Sequence, residues 1–328
     1  MWSPTGQACG TSNPAPMGAT SRPPNRLCTV MSSMAEGRGA MAGSPSRTPP
    51  TLTDAQWYAD WQSQAHSVHF DSRAGLDSRN LVRNYECLND IRILSERILP
   101  SQPLNLLEVG CATGEFCRYL RIRYPHIAYC GLDISQTAID RARQKYPQGR
   151  FFVSSPDLSL AESLKQWGVH PLPELVYSKD VVHHQTQPFE FLAEMLHCAT
   201  DAVILRLRTR DVGPTELDPE KSCQYHYHGW MPYIVMNVDE VLSCIQREVP
   251  QGEIVLYRHY TVLGGRVNRF LPKDCYLPET KTAETALGVF LNTKQPGRVT
   301  VANRQEPEPR YTLDYRIRYF TTTLLRRS

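Results

Sequence analysis

Between residues 104 and 292, short apolar runs alternate with stretches whose apolar positions recur every three or four residues, a pattern that predicts strands separated by helices. Strands are expected at 104–109, 127–133, 150–154, 175–178, 202–210, 253–260 and 285–292. Helices are expected at 115–124, 136–146 and near 159–167, then after Pro188 with Phe189, Leu192, Met195 and Leu196 on one face, and at 238–248. Ahead of the first strand, Trp57, Tyr58 and Trp61 precede a longer period through Leu81, Tyr85, Leu88, Ile91, Leu94 and Ile98, closed by Pro100. Amphipathic helices therefore precede the sheet. Strand and helix in alternation specify an α/β fold, a doubly wound seven-stranded Rossmann-like sheet covered on both faces, with an N-terminal helical cap.

The same pattern divides the chain. Residues 1–50 have no apolar period and are rich in Pro, Ser, Gly, Ala and Thr, the composition of a disordered leader. Their arginines and scarcity of acids also fit a transit peptide, and Met17, Met31, Met34 and Met41 fit a start assigned too far upstream. Residues 51–100 are the helical cap, and 101–297 the sheet domain, interrupted by lid insertions at 211–237 and 264–284. Residues 298–328 are a charged extension, either one more strand or an interface.

Composition removes several function classes. No run of eighteen apolar residues occurs, so no membrane span is expected. The ten cysteines are scattered without a C-x-x-C, and with no signal-peptide core they read as reduced thiols of a cytoplasmic protein. The net charge of +3 is carried by the leader, whose four arginines face one glutamate. A neutral body lacks the basic footprint of a nucleic-acid enzyme.

The chemistry centres on the end of the first strand, Leu106-Leu107-Glu108-Val109-Gly110-Cys111-Ala112-Thr113-Gly114. A strand that turns on glycines into a helix leaves backbone N–H groups open to a polar or anionic ligand. The spacing is not the G-x-G-x-x-G of a dinucleotide site, because the acid Glu108 stands two residues before the first glycine. It resembles motif I of the class I S-adenosylmethionine-dependent methyltransferases, acid-x-Gly-x-Gly-x-Gly, with Ala112 in place of the middle glycine. A second apolar run ends in Asp133, roughly 20 residues on, the offset of a ribose-binding carboxylate.

The resemblance implies S-adenosylmethionine as cofactor and a seven-stranded methyltransferase sheet whose last two strands form an antiparallel hairpin. It implies that Asp133 holds the ribose hydroxyls, that Ile134 packs on the adenine, and that Gly110 and Gly114 approach the methionine end. Glu108 and Ala112 complete that motif. Asp157, after the third strand, stands either against the adenine amine or as a helix N-cap.

Ligands of open sheets collect beyond the carboxyl ends of the strands. Strand four ends in Tyr177-Ser178-Lys179-Asp180-Val181-Val182-His183-His184, similar to the family's segment beside the transferred methyl, so His183 or His184 is the candidate catalytic base. Arg206, Arg208 and Arg210 share one face of strand five. Each needs a carboxylate partner or must reach the open end, where Arg208 and Arg210 would bind an anionic or oxygen-rich substrate. In the first insertion, Tyr225, His226, Trp230 and Tyr233 either contact a sugar or planar acceptor or anchor the loop. His226 and His228 are too weak a pattern for a metal site, so none is expected.

These readings converge on methylation of a small molecule or sugar, at oxygen. The Asn/Asp-Pro-Pro-aromatic and Pro-Cys signatures of base-modifying enzymes are absent, which leaves as rivals an RNA or protein methyltransferase, or a cofactor-binding partner protein without turnover. The sequence leaves the acceptor and the oligomeric state open.

Overall fold

Leu106 is buried on one face of the first strand, β1 (Leu104–Val109), and Leu107 and Val109 on the other, so β1 lies inside a sheet covered on both sides. The structure is a computed structural model that describes residues 51–63, 77–97, 104–155, 157–226, 229–261 and 282–307. The chain divides after Ser46, and all described residues belong to the larger unit, Arg47–Ser328. Further strands are β2 (Ile127–Asp133), β3 (Arg150–Val153), β4 (Leu175–Lys179), β5 (Ala202–Arg210), β6 (Cys223–His226), β7 (Gly229–Pro232), β8 (Met236–Asn237), β9 (Glu253–Tyr260), β10 (Thr282–Phe290) and β11 (Val299–Asn303). The helices are α1 (Asp54–Tyr58), α2 (Ser78–Glu86), α3 (Asn89–Arg97), α4 (Glu115–Arg123), α5 (Gln136–Lys145), α6 (Leu160–Gln166), α7 (Pro188–His197) and α8 (Val238–Glu248).

The sheet order is β11-β9-β10-β5-β4-β1-β2-β3. From β1 the chain winds outward through β2 to β3, then returns to β4 on the other side of β1, and this reversal opens a crevice at the strands' carboxyl ends. β10 runs antiparallel between β5 and β9, as the family resemblance implied. Seven strands were expected. Two more join them: β8 pairs with the end of β5, and β11, from the C-terminal extension, pairs in parallel with β9.

One face of the sheet is covered by α6, α7 and α8 through Leu164, Met195 and Ile245, packed on Leu107, Val203, Leu205 and Leu207. The other is covered by α2 to α5 through Leu81, Ile93, Phe116 and Ile139, packed on Leu106, Tyr177 and Ile204. The helices begin where the chain supplies caps: Asp77 before α2, Ser135 before α5, the Ser159–Glu162 capping box at α6, and Asn237, whose side chain accepts from both Asp239 and Glu240.

The last strand of the core differs from its expected span. It begins at Thr282, three residues early, because β5 keeps its pairing through its charged end: Glu284 stands opposite Arg208 and Thr282 opposite Arg210. The polar stretch at 282–284, expected at the end of the second insertion, is strand. Residues 264–281 of that insertion, residues 1–50 and residues 308–328 lie outside the described residues. The N-terminal cap divides between two tasks, with α3 closing the sheet face over β5, β9 and β10 while α1 rests against β7. Among the described residues no helix is long and apolar enough to cross a membrane.

Candidate functional site

The turn after β1 is built from left-handed backbone. Gly110 has φ +81° and Gly114 φ +80°, conformations that glycine adopts without strain. A Cβ on Gly110 would lie 2.2 Å from Val181 Cγ2, so the loop after β4 sits directly against this backbone. Ala112 also has positive φ, 46°, where its Cβ crowds the following carbonyl. An Ala112→Gly variant is expected to gain about 0.5–1 kcal/mol, less than the full strain because glycine loses more chain entropy on folding; urea denaturation measures it.

Asp133 fastens this turn to β2. Its Oδ2 accepts from Ala112 N at 2.8 Å and its Oδ1 from Ser135 N at 2.9 Å, while Gly110 N and Cys111 N both donate to Leu132 O. Burial raises the Asp133 carboxyl above its ordinary range, and N–H bonds from Ser135, Ala112 and Ile134 oppose that rise. Glu108 is deeper still. The Tyr129 hydroxyl donates to its Oε2, and burial pushes its carboxyl up to about 8.

These groups line a cavity of about 550 Å³ at the crevice, within the size range of small-molecule sites. Its lining includes Gly110, Ala112, Asp133, Ile134, Ser154 and Leu158, and also Tyr58, Trp61, His184, Gln185, Thr186 and Gln224. Among the described residues its charged lining is one-sided: Glu115, Asp133, Asp180, Glu190 and Glu194 stand against the single ammonium of Lys179, and Glu108 adds a carboxyl that burial keeps protonated near neutral pH. Such a wall attracts cations and repels anions.

The residues expected at the site are distributed unevenly. Glu108, Gly110, Ala112, Asp133 and Ile134 line the cavity, and Gly114 N-caps α4 behind them. Asp157 is exposed and outside the lining, and the cap of α6 is Ser159, so neither role expected for Asp157 is seen. Ser154, Ser155 and Leu158 stand in the wall instead.

The two histidines occupy a short 3-10 turn, Val182–His184, after β4. His184 lines the cavity, its Nδ1 lies 2.8 Å from Pro232 O, and its ring meets Trp61 edge to face at 4.6 Å. His183 is buried outside the lining, with its ring 4.9 Å from Tyr233.

The insertion at 211–237 is not an open loop. β6 and β7 pair as a hairpin, followed by a buried run from Tyr233 to Met236. Tyr233 N donates to Ser222 O, Ser222 Oγ donates to Tyr233 O, and Ile234 N donates to His183 O, so Tyr233 anchors the hairpin instead of facing the cavity. Trp230 is half-buried on β7, and the side chains of Tyr225 and His226, like residues 227–228, lie outside the described residues. Arg208 and Arg210 are also outside the lining: Arg208 bonds Glu284 and Thr261, and Arg210 Nε donates to Val212 O. Among the described residues no cluster of three His, Cys, Asp or Glu side chains is placed to hold a metal.

Sequence reasoning passed over Tyr58, Trp61, Lys179, Gln185 and Thr186 as site residues. The last three were detectable, since Lys179 ends β4 and Gln185 and Thr186 follow it, where ligands of such sheets gather. Gln224 carried no signal, being one polar residue in an insertion without a recognised pattern.

Residues 107–204, from within β1 to within β5, match a family model described as a methyltransferase domain. No curated protein sequence matches the chain. Among solved structures, the plantazolicin methyltransferase BamL, in complex with a desmethyl plantazolicin analogue and S-adenosylhomocysteine, is 15% identical, covering 73% of this chain and 94% of its own at TM-score 0.43. A TehB-like methyltransferase from Corynebacterium glutamicum is 14% identical, covering 70% and 100%, at 0.41. The N-terminal domain of EvdMO1, determined in the presence of S-adenosylhomocysteine and D-fucose, is 13% identical, covering 61% and 81%, at 0.41.

Proposed function

We propose that this chain, which carries the methyltransferase domain of the class I S-adenosylmethionine-dependent family, methylates a hydroxyl of a small uncharged acceptor such as a sugar. The observation that carries the reading is His184 in the cavity wall. With its Nδ1 proton directed at Pro232 O, the neutral ring keeps its lone pair on Nε2, the atom that accepts a proton from a hydroxyl.

The cavity fits the donor on its own terms. A backbone cradle without side-chain bulk at Gly110, a carboxylate at the end of β2 and an acid-lined wall suit a nucleoside that bears positive charge. Glu108, Gly110, Ala112, Gly114, Asp133 and Ile134 are the residues that would hold it, with Asp133 at the ribose hydroxyls and Ile134 at the adenine. When bound, S-adenosylmethionine supplies an electrophilic methyl on a sulfonium. The chain's own contribution is to hold the hydroxyl in line, to take its proton on His184, and to keep water out with Tyr58, Trp61 and the β6–β7 hairpin. The acid-rich wall favours a neutral acceptor over a phosphorylated or carboxylated one.

His184→Gln is expected to lower kcat about 100-fold, the lower end of general-base effects, while S-adenosylhomocysteine affinity stays within about twofold. Release of S-adenosylhomocysteine from purified chain, measured with neutral glycosides and phenols and in parallel with RNA and protein, tests the acceptor class. Turnover only with a macromolecule overturns the small-molecule reading; donor binding without any turnover makes the chain a cofactor-binding partner.

A further inference from the structure

The β6–β7 hairpin brings an amide, that of Gln224, into the cavity wall that His184 also lines. Gln224 lies on β6, lines the cavity and is 4% exposed. Its Oε1 is buried and has no hydrogen-bond partner among the described residues, and its Nε2 meets only Met231 Sδ, at 3.3 Å. A thioether is a weak acceptor. Whichever way round the carboxamide is placed, neither end has a strong partner among the described residues, although native interiors almost always provide one for such a group. The backbone that carries this amide is well held. Register sets Gln224 opposite Met231 and Cys223 opposite Pro232, the residue whose carbonyl takes the His184 Nδ1 bond, and Ser222 and Tyr233 close the hairpin with two hydrogen bonds. The amide and the imidazole therefore stand in one wall, joined through a two-stranded unit that leaves little freedom for either to move relative to the other.

We propose that Gln224 is a specificity-determining residue, whose carboxamide binds a second hydroxyl of a neutral polyhydroxylated acceptor while His184 addresses the hydroxyl to be methylated. This rests on the methyltransferase reading above and extends it to the acceptor's chemistry. A hydroxyl both donates and accepts, so it satisfies the amide in either orientation. A carboxylate or phosphate at the same place would face the acids of the wall, Glu190 and Asp180 among them, with Lys179 as the only ammonium among the described lining residues. A lone ammonium would suit the wall's charge but would leave the amide without an acceptor for its N–H groups. The requirement is thus two neutral hydroxyls on one small framework, as in a sugar or a vicinal diol.

The test uses full-length protein and a Gln224→Leu variant, which keeps the volume and removes the polar head. Without any acceptor, Gln224→Leu is expected to raise Tm by roughly 3 °C, since an unsatisfied buried amide is replaced by an apolar group. An amide with a structural role would instead lower Tm on removal. The S-adenosylhomocysteine dissociation constant should stay within about twofold of wild type. With D-glucose, methyl glucoside and catechol as neutral probes, and D-glucuronate and protocatechuate as their carboxylated counterparts, the neutral set should be turned over preferentially. For the best neutral probe, Gln224→Leu should raise KM about tenfold with kcat changed less than about threefold, and Gln224→Asn should leave KM between the two. A fall in Tm, an unchanged KM, or preference for the carboxylated probes overturns the assignment of Gln224. Failure of the wild type itself to bind S-adenosylhomocysteine, seen as no thermal shift, overturns the underlying methyltransferase reading instead, so the two failures are distinct.

Discussion

Replacing Glu108 with Gln is expected to stabilise the protein by on the order of 3 kcal/mol at pH 7 and to weaken its hold on the methyl donor at least tenfold. In the native chain the Glu108 carboxyl is enclosed, and burial holds its pKa near 8, against 4.5 for an exposed glutamate. Between those two values the folded state keeps a proton that the unfolded state releases. Stability therefore falls as pH rises through this window, by about 1.4 kcal/mol per pH unit from this group, and the contribution is fully retained only below the unfolded value. Glutamine cannot ionise, yet its carbonyl still accepts the Tyr129 hydroxyl. The advantage of Glu108→Gln should thus be near zero at pH 4.5, grow towards pH 8 and then level. Urea denaturation of both proteins at pH 5 and pH 7.5 measures it; stability curves that run parallel in pH would contradict the burial argument.

An acid kept at such a cost needs a reason at the site. A cation placed in the cavity favours the ionised form, so donor binding is expected to be coupled to loss of the Glu108 proton. Native affinity for S-adenosylmethionine should accordingly tighten from pH 6 to pH 8, and Glu108→Gln should lose both the affinity and its pH dependence. A residue that weakens the empty protein while strengthening the bound state is the expected signature of a binding carboxylate.

The fold was legible from residue 104 to residue 260 outside the 211–237 insertion, because the core strands there begin as short apolar runs bounded by turn signals, and β1, β2, β5 and β9 have the bounds their patterns predict; β6, β7 and β8, inside the insertion, were not expected. Legibility stops where pairing follows charge instead of apolarity. Thr282, Ala283 and Glu284 look like loop, and they are strand because β5 offers arginine partners across the ladder. β11 was open for a related reason: it is a sheet edge whose five residues alternate between exposed and half-buried, a weak signal beside a central strand. At the site, the turn and its carboxylates are local in sequence, two glycines and two acids within one βαβ unit. The part of the cavity wall that carries Tyr58, His184 and Gln224 is assembled from α1, the turn after β4 and the 211–237 hairpin, segments whose proximity depends on long-range packing. The insertion around Gln224 was expected to be a lid, through Tyr225 and His226, but nothing singled out Gln224 or Trp61 themselves as lining residues.

Arg206 is where the sequence posed its sharpest alternative, a guanidinium in the middle of a covered strand that needs either an acid or an opening. The structure supplies acids. Nη1 lies 3.2 Å from Asp90 on α3 and 2.7 Å from Glu306 beyond β11, Nη2 pairs with Glu284 on β10, and Nε is 3.9 Å from Asp180. Burial alone would lower the Arg206 pKa, but Asp90, Asp180 and Glu306 outweigh it and hold it above its ordinary value. Glu306 answers with a carboxyl that burial would raise and that the Arg206 bonds bring below its ordinary value. One side chain thus ties the N-terminal cap and the C-terminal extension to the sheet. Arg206→Ala is expected to cost about 3–5 kcal/mol, because it strands the buried Asp90, whose remaining bond is from the Tyr177 hydroxyl, together with Glu306. Glu306→Gln, which keeps a hydrogen bond to the guanidinium and leaves Asp90 paired, should cost less than half of that. The pH trend is opposite to that of Glu108: a lowered carboxyl contributes stability present above its unfolded pKa and lost as pH falls through the folded one, so Glu306→Gln should narrow its deficit in acid. Urea denaturation at pH 4 and pH 7 reads both effects. An Arg206→Ala protein as stable as the native one would mean that the four acids are solvated without it, and the cap and extension would then need another anchor on the sheet.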